Sequence, residues 1–277
     1  MEHLKRTENK DLEKKRIARI AIYIPARNAA KTIIAVLDRI PAEIRFKVEE
    51  IFVVDNASKD ETSPLVLQYK KEKNWPHLKV IRNTQDLGYG GSQKVAYQYA
   101  IDKGFDIIAM LHGDAQYAPE YLPQLLEPVE KGEADLVFGS RMTGDPKKGK
   151  MPFWKRLGNR ALTKIENVVL ETNLSEFHSG YRVYSVGALK KVPFQKCSHN
   201  YHLDTEILVL FAIAKLRIAE RTIPTHYGSG SESPSLQDLA VYSSNILRIM
   251  AGYYLHKKGI RRKELFSFTS GNLTEKP

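Results

Sequence analysis

Hydrophobic and polar positions follow two rhythms along this chain. Short, nearly unbroken apolar runs read as strands that end in turn residues: "RIAIYIP" (19–25), "EEIFVVDNAS" (49–58), "LKVIRN" (78–83), "FDIIAMLHGD" (105–114) and "ADLVFGSR" (134–141). Between them, 29–40, 59–73, 90–104 and 118–132 carry apolar residues at helical spacing. The second half is less regular. A Gly-, Pro- and Lys-rich loop (142–152) leads to a helix over 153–170, a turn and strand over 179–185, and a strong helix over 201–216. A returning strand (217–227), a flexible loop (228–235) and a last helix (236–259) complete the pattern. No internal repeat is visible.

Apolar strands that alternate with helices predict a mostly parallel α/β sheet, Rossmann-like, covered on both faces. Ligands of such sheets bind beyond the carboxyl ends of the strands. Each predicted strand here ends in polar or turn residues: Pro25–Asn28, Asp55–Ser58, Asn83–Asp86, His112–Gln116 and Gly139–Arg141. That clustering is the first functional signal.

Composition narrows the picture. With 277 residues, 42% of them hydrophobic, the chain can bury one large core. The lone Cys197 has no partner for an internal disulfide, which fits a reducing compartment. The charged start, "MEHLKRTENKDLEKKR", lacks the apolar stretch of a signal peptide. No window approaches the roughly 18 uninterrupted apolar residues of a membrane span. The expectation is a cytoplasmic protein, soluble or peripheral on the cytoplasmic face of a membrane. A net charge of +11 and a pI near 9.5 suit nucleic acid, an anionic membrane or a phosphorylated substrate. The basic residues are scattered apart from "HKKGIRRK" (256–263), and no zinc-finger or RNP-like motif occurs, so nucleic acid is not expected.

Three constellations carry candidate chemistry. In "LHGDAQYAPE" (111–120), an extended chain would put His112, Asp114 and Gln116 on one face, with Gly113 leaving the other open. Together they offer ligands for Mg2+ or Mn2+ if a substrate diphosphate completes the shell. The competing reading is a cap on the next helix. In "VVDNASKDET" (53–62), Asp55 closes a strand and Asn56 and Ser58 follow. Asp55 could accept hydrogen bonds from a base or ribose, or simply close an Asx turn. "NTQDLGYGGSQK" (83–94) sets Gly88, Gly90 and Gly91 before a helix, where backbone and phosphate can approach closely, though it matches no dinucleotide or P-loop fingerprint. Further along, Arg182 in "SGYRVYS" could grip a phosphate or serve the structure. Asp204 and Glu206 in "YHLDTEIL" suit a helix start or a base role. "TIPTHYGSGS" sets a loop beside His226 and Tyr227.

Taken in order, "IPARNAAKTI", "VVDNASKDET", the "GYGGS" glycines, "LHGDAQYAPE", "FGSR" and "SGYRVYS" resemble glycosyltransferase family 2, in its dolichol-phosphate mannosyltransferase-like branch. The resemblance spans roughly residues 19–227. It implies a GT-A fold over 19–235, after a charged segment (1–18) and before a C-terminal amphipathic helix and tail (236–277). It also implies inverting transfer of a sugar from a nucleotide-diphosphate sugar to a polyprenyl phosphate, dolichyl or undecaprenyl, with a divalent metal on the donor diphosphate. Carried over by motif, Pro25, Arg27 and Asn28 border the nucleotide, Asp55 with Asn56 and Ser58 contacts the base or ribose, and Gly88–Gly91 flank nucleotide and sugar. Lys94, His112, Gly113 and Arg141 join this donor set. Asp114, Gln116 and His112 serve the metal, Arg182 a phosphate, and Asp204 or Glu206 a hydroxyl acceptor that needs a base.

The chain departs from the family pattern at Ala29, where an acidic residue is common, at His112, which replaces an aspartate, and in the altered "THYGSGS" loop. Two alternatives stay open: a family member glycosylating a saccharide or other hydroxyl, and a nucleotide-sugar-binding protein without turnover. For lipid contact, Leu239, Tyr242, Ile246, Ile249 and Tyr253 fall at helical spacing ahead of Lys257, Lys258, Arg261, Arg262 and Lys263. This stripe suits an anionic bilayer, or the domain's own core.

Overall fold

A computed structural model describes residues 17–143, 153–224 and 236–268. The charged start to residue 16, most of the expected 142–152 loop, and the segment holding His226, Tyr227 and 228–235 lie outside the described residues.

Strands β1 (Ile20–Ala26), β2 (Glu50–Asp55), β3 (Leu78–Arg82), β4 (Ile107–Met110), β5 (Leu136–Ser140), β6 (Arg182–Ser185) and β7 (Ile218–Thr222) form one sheet in the order β3-β2-β1-β4-β6-β5-β7. β6 runs antiparallel to β4 and β5, and the other pairs are parallel. β2 is buried along its whole length and β1 along almost all of it, as continuous apolar strands require when helices cover both faces.

Strand alternation sorts the side chains into two cores. Ile20, Ile22 and Ile24 pack with α1 (Ile33–Arg39), α2 (Ala42–Lys47), α3 (Thr62–Glu72) and α5 (Leu122–Glu130), through Ile33, Leu37, Ile44, Val66 and Leu125. Ala21 and Tyr23 face the other layer. There α4 (Gly88–Asp102), α7 (Val186–Leu189), α8 (Leu203–Ile213) and α9 (Leu236–Lys257) supply Tyr97, Leu189, Phe211 and Ile246. α6 (Phe153–Leu170) packs beside α9. The predicted elements are all present, with ends shifted by a few residues.

One expectation changes, and one open choice closes. β4 stops at Met110, so residues 112–116 are not an extended strand. Ala115 takes a left-handed φ of 62°, which turns the chain and breaks the one-face alternation expected for His112, Asp114 and Gln116. The α9 stripe is also committed: Ile246, Ile249 and Met250 are buried in the second core, and Tyr242 and Tyr253 pack against it. It packs on the domain itself and offers no free stripe to a bilayer. Among the described residues, no helix is long and apolar enough to cross a membrane.

Candidate active site

The parallel strands bring their carboxyl ends to one edge of the sheet. Because β6 is antiparallel, its first residue, Arg182, lies at that same edge, paired with Phe138 of β5. The candidate residues therefore converge, though their side chains do different things.

The tips of β1 and β2 are laced to each other. The Asn28 N–H donates to Ser58 Oγ at 3.0 Å, and Asn28 Oδ1 accepts from the Lys59 N–H at 2.9 Å. Ala29 and Ala30 donate to Thr62 Oγ1 and Asp60 Oδ2. Asp55 is fully buried. Its carboxylate accepts from the Ser58 N–H at 2.8 Å and from the Ser63 hydroxyl, so the Asx turn holds and both oxygens have partners within the fold. Asn56 donates to Asp86 Oδ1 at 2.7 Å and accepts from Asn83 and the Leu87 N–H, tying β2 to the segment after β3. Arg27 is half-exposed at this rim and pairs with Asp86 at 2.7 Å. Pro25 lies within β1, partly exposed.

At the centre of the edge, Leu111 extends the pairing with a 3.0 Å bond to Tyr23 O. The chain then turns. Thr32 Oγ1 donates to the Gly113 carbonyl at 2.7 Å, and a Cβ on Gly113 would stand 3.1 Å from the Pro25 carbonyl. Asp114 is exposed. Its Oδ1 accepts from the Gln116 N–H at 3.0 Å, a local turn that leaves the carboxylate facing solvent. His112 Nε2 lies 3.3 Å from the Gly180 carbonyl. A carbonyl can only accept, so Nε2 carries the proton and is not available to a metal; only Nδ1 could be. A Cβ on Gly180 would fall 2.5 Å from Nε2, so this approach requires a residue without a side chain.

Arg182 is the largest fully buried side chain of the described residues. It donates to the carbonyls of Ser179 and Asp204 at 2.8 Å and of Phe177 at 2.9 Å, and lies 3.9 Å from Asp204 Oδ1. Burial works against its charge, but the Asp204 carboxylate together with Tyr184 and Tyr89 outweighs this and raises its pKa above the ordinary arginine range. Arg182 ties the 177–182 segment to α8 through these carbonyls. Asp204, itself nearly buried, also accepts from Tyr89 OH at 3.1 Å. Glu206 accepts from the Ser198 N–H at 2.6 Å, and burial pushes its carboxyl pKa up. Arg141, just past β5, forms an ion pair with the buried Glu176 and donates to the His178 carbonyl at 3.1 Å. Burial pushes the Glu176 carboxyl up, but Arg141 outweighs it and holds the pKa below the usual range. The sequence reading did not include Glu176.

The glycosyl transferase family 2 profile matches residues 21–193, well over half of the chain. The chain belongs to glycosyl transferase family 2. It is 28% identical to a UDP-N-acetylglucosamine–dolichyl-phosphate N-acetylglucosaminyltransferase of Methanococcus voltae, over 75% of this chain and 86% of that protein. It is equally 28% identical to an undecaprenyl-phosphate mannosyltransferase of Micrococcus luteus, over 73% and 81%. Among solved structures, glucosyl-3-phosphoglycerate synthase of Mycobacterium tuberculosis superposes with a TM-score of 0.65 at 21% identity, covering 92% and 86% of the two chains. The same synthase with Mn2+ and UDP-glucose superposes at 0.64, with 20% identity and coverage of 92% and 84%. The fold is GT-A, and the chain is a nucleotide-sugar glycosyltransferase.

In this family 2 transferase the glycines of "GYGGS" are not a loop before a helix. α4 begins at Gly88, and its first turn packs on the backbone of residues 198–200. The Gly90 N–H donates to His199 O at 2.8 Å, and a Cβ there would meet Ser198 O at 2.6 Å and Asn200 O at 2.9 Å. Lys94, one turn on, is 5% exposed and donates to the carbonyls of Gln195, at 3.0 Å, and Cys197. Both therefore hold the 195–200 segment. Gly90→Ala should destabilise the transferase by about 1–3 kcal/mol, because backbone and not a flexible side chain blocks the added methyl. A thermal melt checks this, and an unchanged midpoint would reject the contact.

An aromatic series crosses the edge, which the sequence reading did not assemble. Tyr201 stacks on Tyr89 at 4.9 Å, Tyr89 lies 6.1 Å from His112, and His112 lies 4.9 Å from Tyr117. The rings come from three separate segments of the chain, since His112 and Tyr117 share one. The tyrosine set between the α4 glycines was the one local hint.

Proposed function

We propose that this transferase moves a hexose from a nucleoside diphosphate sugar to the phosphate of a polyprenyl lipid at a membrane surface, using Mg2+ or Mn2+. The named substrates of the Methanococcus and Micrococcus relatives support the acceptor, and the synthase solved with Mn2+ and UDP-glucose supports the metal.

The observation that carries the reading is the state of the two candidate bases. Asp204 already accepts from Tyr89 and stands beside Arg182, and Glu206 is occupied by the Ser198 N–H. Both are buried and tied to the fold, so neither stands exposed at the edge to meet an alcohol. A phosphate acceptor needs no base, because its oxygen is already anionic near neutral pH. That oxygen attacks the anomeric carbon, the bond from this carbon to the diphosphate oxygen breaks, and the nucleoside diphosphate leaves with the electron pair. Attack from the opposite face inverts the anomeric centre.

The residues present fit a divalent cation held mainly by its ligand. Asp114 offers an exposed hard oxygen at the strand edge, with Gln116 beside it. Among the described residues, no three His, Cys, Asp or Glu side chains gather into a cage, so the donor diphosphate and water would complete the coordination. When bound, the ion supplies positive charge to the leaving diphosphate. The half-exposed Arg27 borders the same edge, while Asn28, Asn56 and Ser58 shape it through the turns they close.

The test is transfer of a labelled sugar from nucleotide donors, with Mn2+, to polyprenyl phosphate and to saccharide alcohols in parallel. Label should move to the polyprenyl phosphate. Transfer to alcohols alone would overturn the acceptor, and binding of donor without any turnover would overturn the reaction.

A further inference from the structure

We propose that the outward faces of α6 and α9 together form a docking surface for anionic lipid headgroups. The proposal rests on the polyprenyl-phosphate reading above, because a lipid acceptor must reach the strand edge from a bilayer.

Exposed large apolar side chains are not spread evenly over the molecule. Of the eleven among the described residues, six stand on these two helices: Leu157, Ile165 and Val168 on α6, and Val241, Leu247 and Tyr254 on α9. Leu157 is 59% exposed and Val168 73%. On α6, positions 157, 161, 165 and 168 fall on one stripe, and Thr163, Glu166 and Leu170 face inward. On α9, the core takes Ile246, Ile249 and Met250, while Leu247 and Tyr254 stand together on the outward side and Val241 on its other flank, none of them used by the fold. This outward face differs from the stripe read from the sequence.

Charge identifies the occupant. Arg160 and Lys164 are exposed on α6, and Arg248 and Lys258 are exposed on or just after α9, with Arg261 and Arg262 following. Acidic residues are scarce. Glu166 is buried, Glu171 is paired with Lys257 at 2.7 Å, and Asp238 is the single acid of α9. Apolar side chains ringed by cations suit the headgroup region of an anionic bilayer. A second copy of the same face would instead set these cations against themselves, since twofold pairing repeats the same patch on both sides.

The same two helices reach the candidate site through their inward faces. Asn159 of α6 donates to Glu176 at 2.9 Å, and Glu176 pairs with Arg141 at the tip of β5. Tyr242 of α9 lies 3.2 Å from His178, whose carbonyl Arg141 also reaches. A membrane on their outward faces would therefore lie one helix layer from the strand edge, within reach of an acceptor phosphate whose isoprenoid chain stays in lipid.

The experiment is flotation of the full chain with phosphatidylcholine vesicles, with and without phosphatidylglycerol, for the wild type, Val168→Glu/Leu247→Glu and Arg160→Glu/Lys164→Glu. The wild type should float only with the anionic vesicles, and either variant should lose about tenfold or more in apparent affinity. All altered side chains are exposed, so melting temperatures should stay near the wild type, and two variants of different chemistry guard against one that misfolds. Equal flotation of the wild type and both variants overturns the proposal. So does a wild-type dimer in sedimentation that Val168→Glu/Leu247→Glu dissolves, because the face would then be a self-interface. Transfer to a short, water-soluble prenyl phosphate separates this idea from the reading it rests on. Activity there without flotation removes the docking surface alone, and flotation without transfer to any prenyl phosphate removes the acceptor reading alone.

Discussion

Asp114→Ala is expected to lower sugar transfer by about 100- to 1000-fold, equivalent to about 3–4 kcal/mol of transition-state stabilisation, with little change in melting temperature. The two halves of this expectation come from different features of one residue. The side chain is exposed and makes one local hydrogen bond, to the Gln116 N–H. Losing that bond costs the fold on the order of 1 kcal/mol. On the proposed function its value lies in where the carboxylate stands: exposed, just past the tip of the central strand β4. Steady-state kinetics with Mn2+, beside a thermal melt, separate the two effects. Full retention of metal-dependent transfer would remove Asp114 from the machinery.

Arg182→Met should do the opposite. It is expected to cost about 3–5 kcal/mol of folding stability, because a buried charge pair loses one partner and three carbonyls lose their donor together. For a domain of this size that is a fall of roughly 6–20 °C in melting temperature. Urea or thermal unfolding reads it directly. If the variant melts like the wild type but loses donor affinity, Arg182 is a phosphate ligand after all, and the buried geometry is not the one that functions.

The contrast between Asp114 and Arg182 shows where sequence and structure part. Both stood in motifs, and both carried charge suited to phosphate chemistry. An arginine that grips a phosphate and an arginine that caps three carbonyls are the same residue type in the same kind of turn. Burial alone separates them, and it is set by α8 packing over β6, from residues more than twenty positions downstream. Lys94 is a similar case, since its partners lie about a hundred residues away. The His112–Asp114–Gln116 alternation failed for a local reason: Ala115 adopts a left-handed φ that alanine seldom takes, so nothing in the residue type announced the turn.

By itself the sequence determined the strands, the longer helices, the mostly parallel sheet and the family, while the short helices Ala42–Lys47 and Val186–Leu189 went unread, because hydrophobic period is a property of neighbouring residues and needs length to show. It also placed the candidate polar residues at one edge, since chain direction puts the ends of parallel strands together. Only the tertiary structure decided which of those side chains face the edge and which brace it, and which side of α9 is left for a partner. Those outcomes depend on segments far apart in the chain that meet only when the two layers close, and burial is a property of the closed layers.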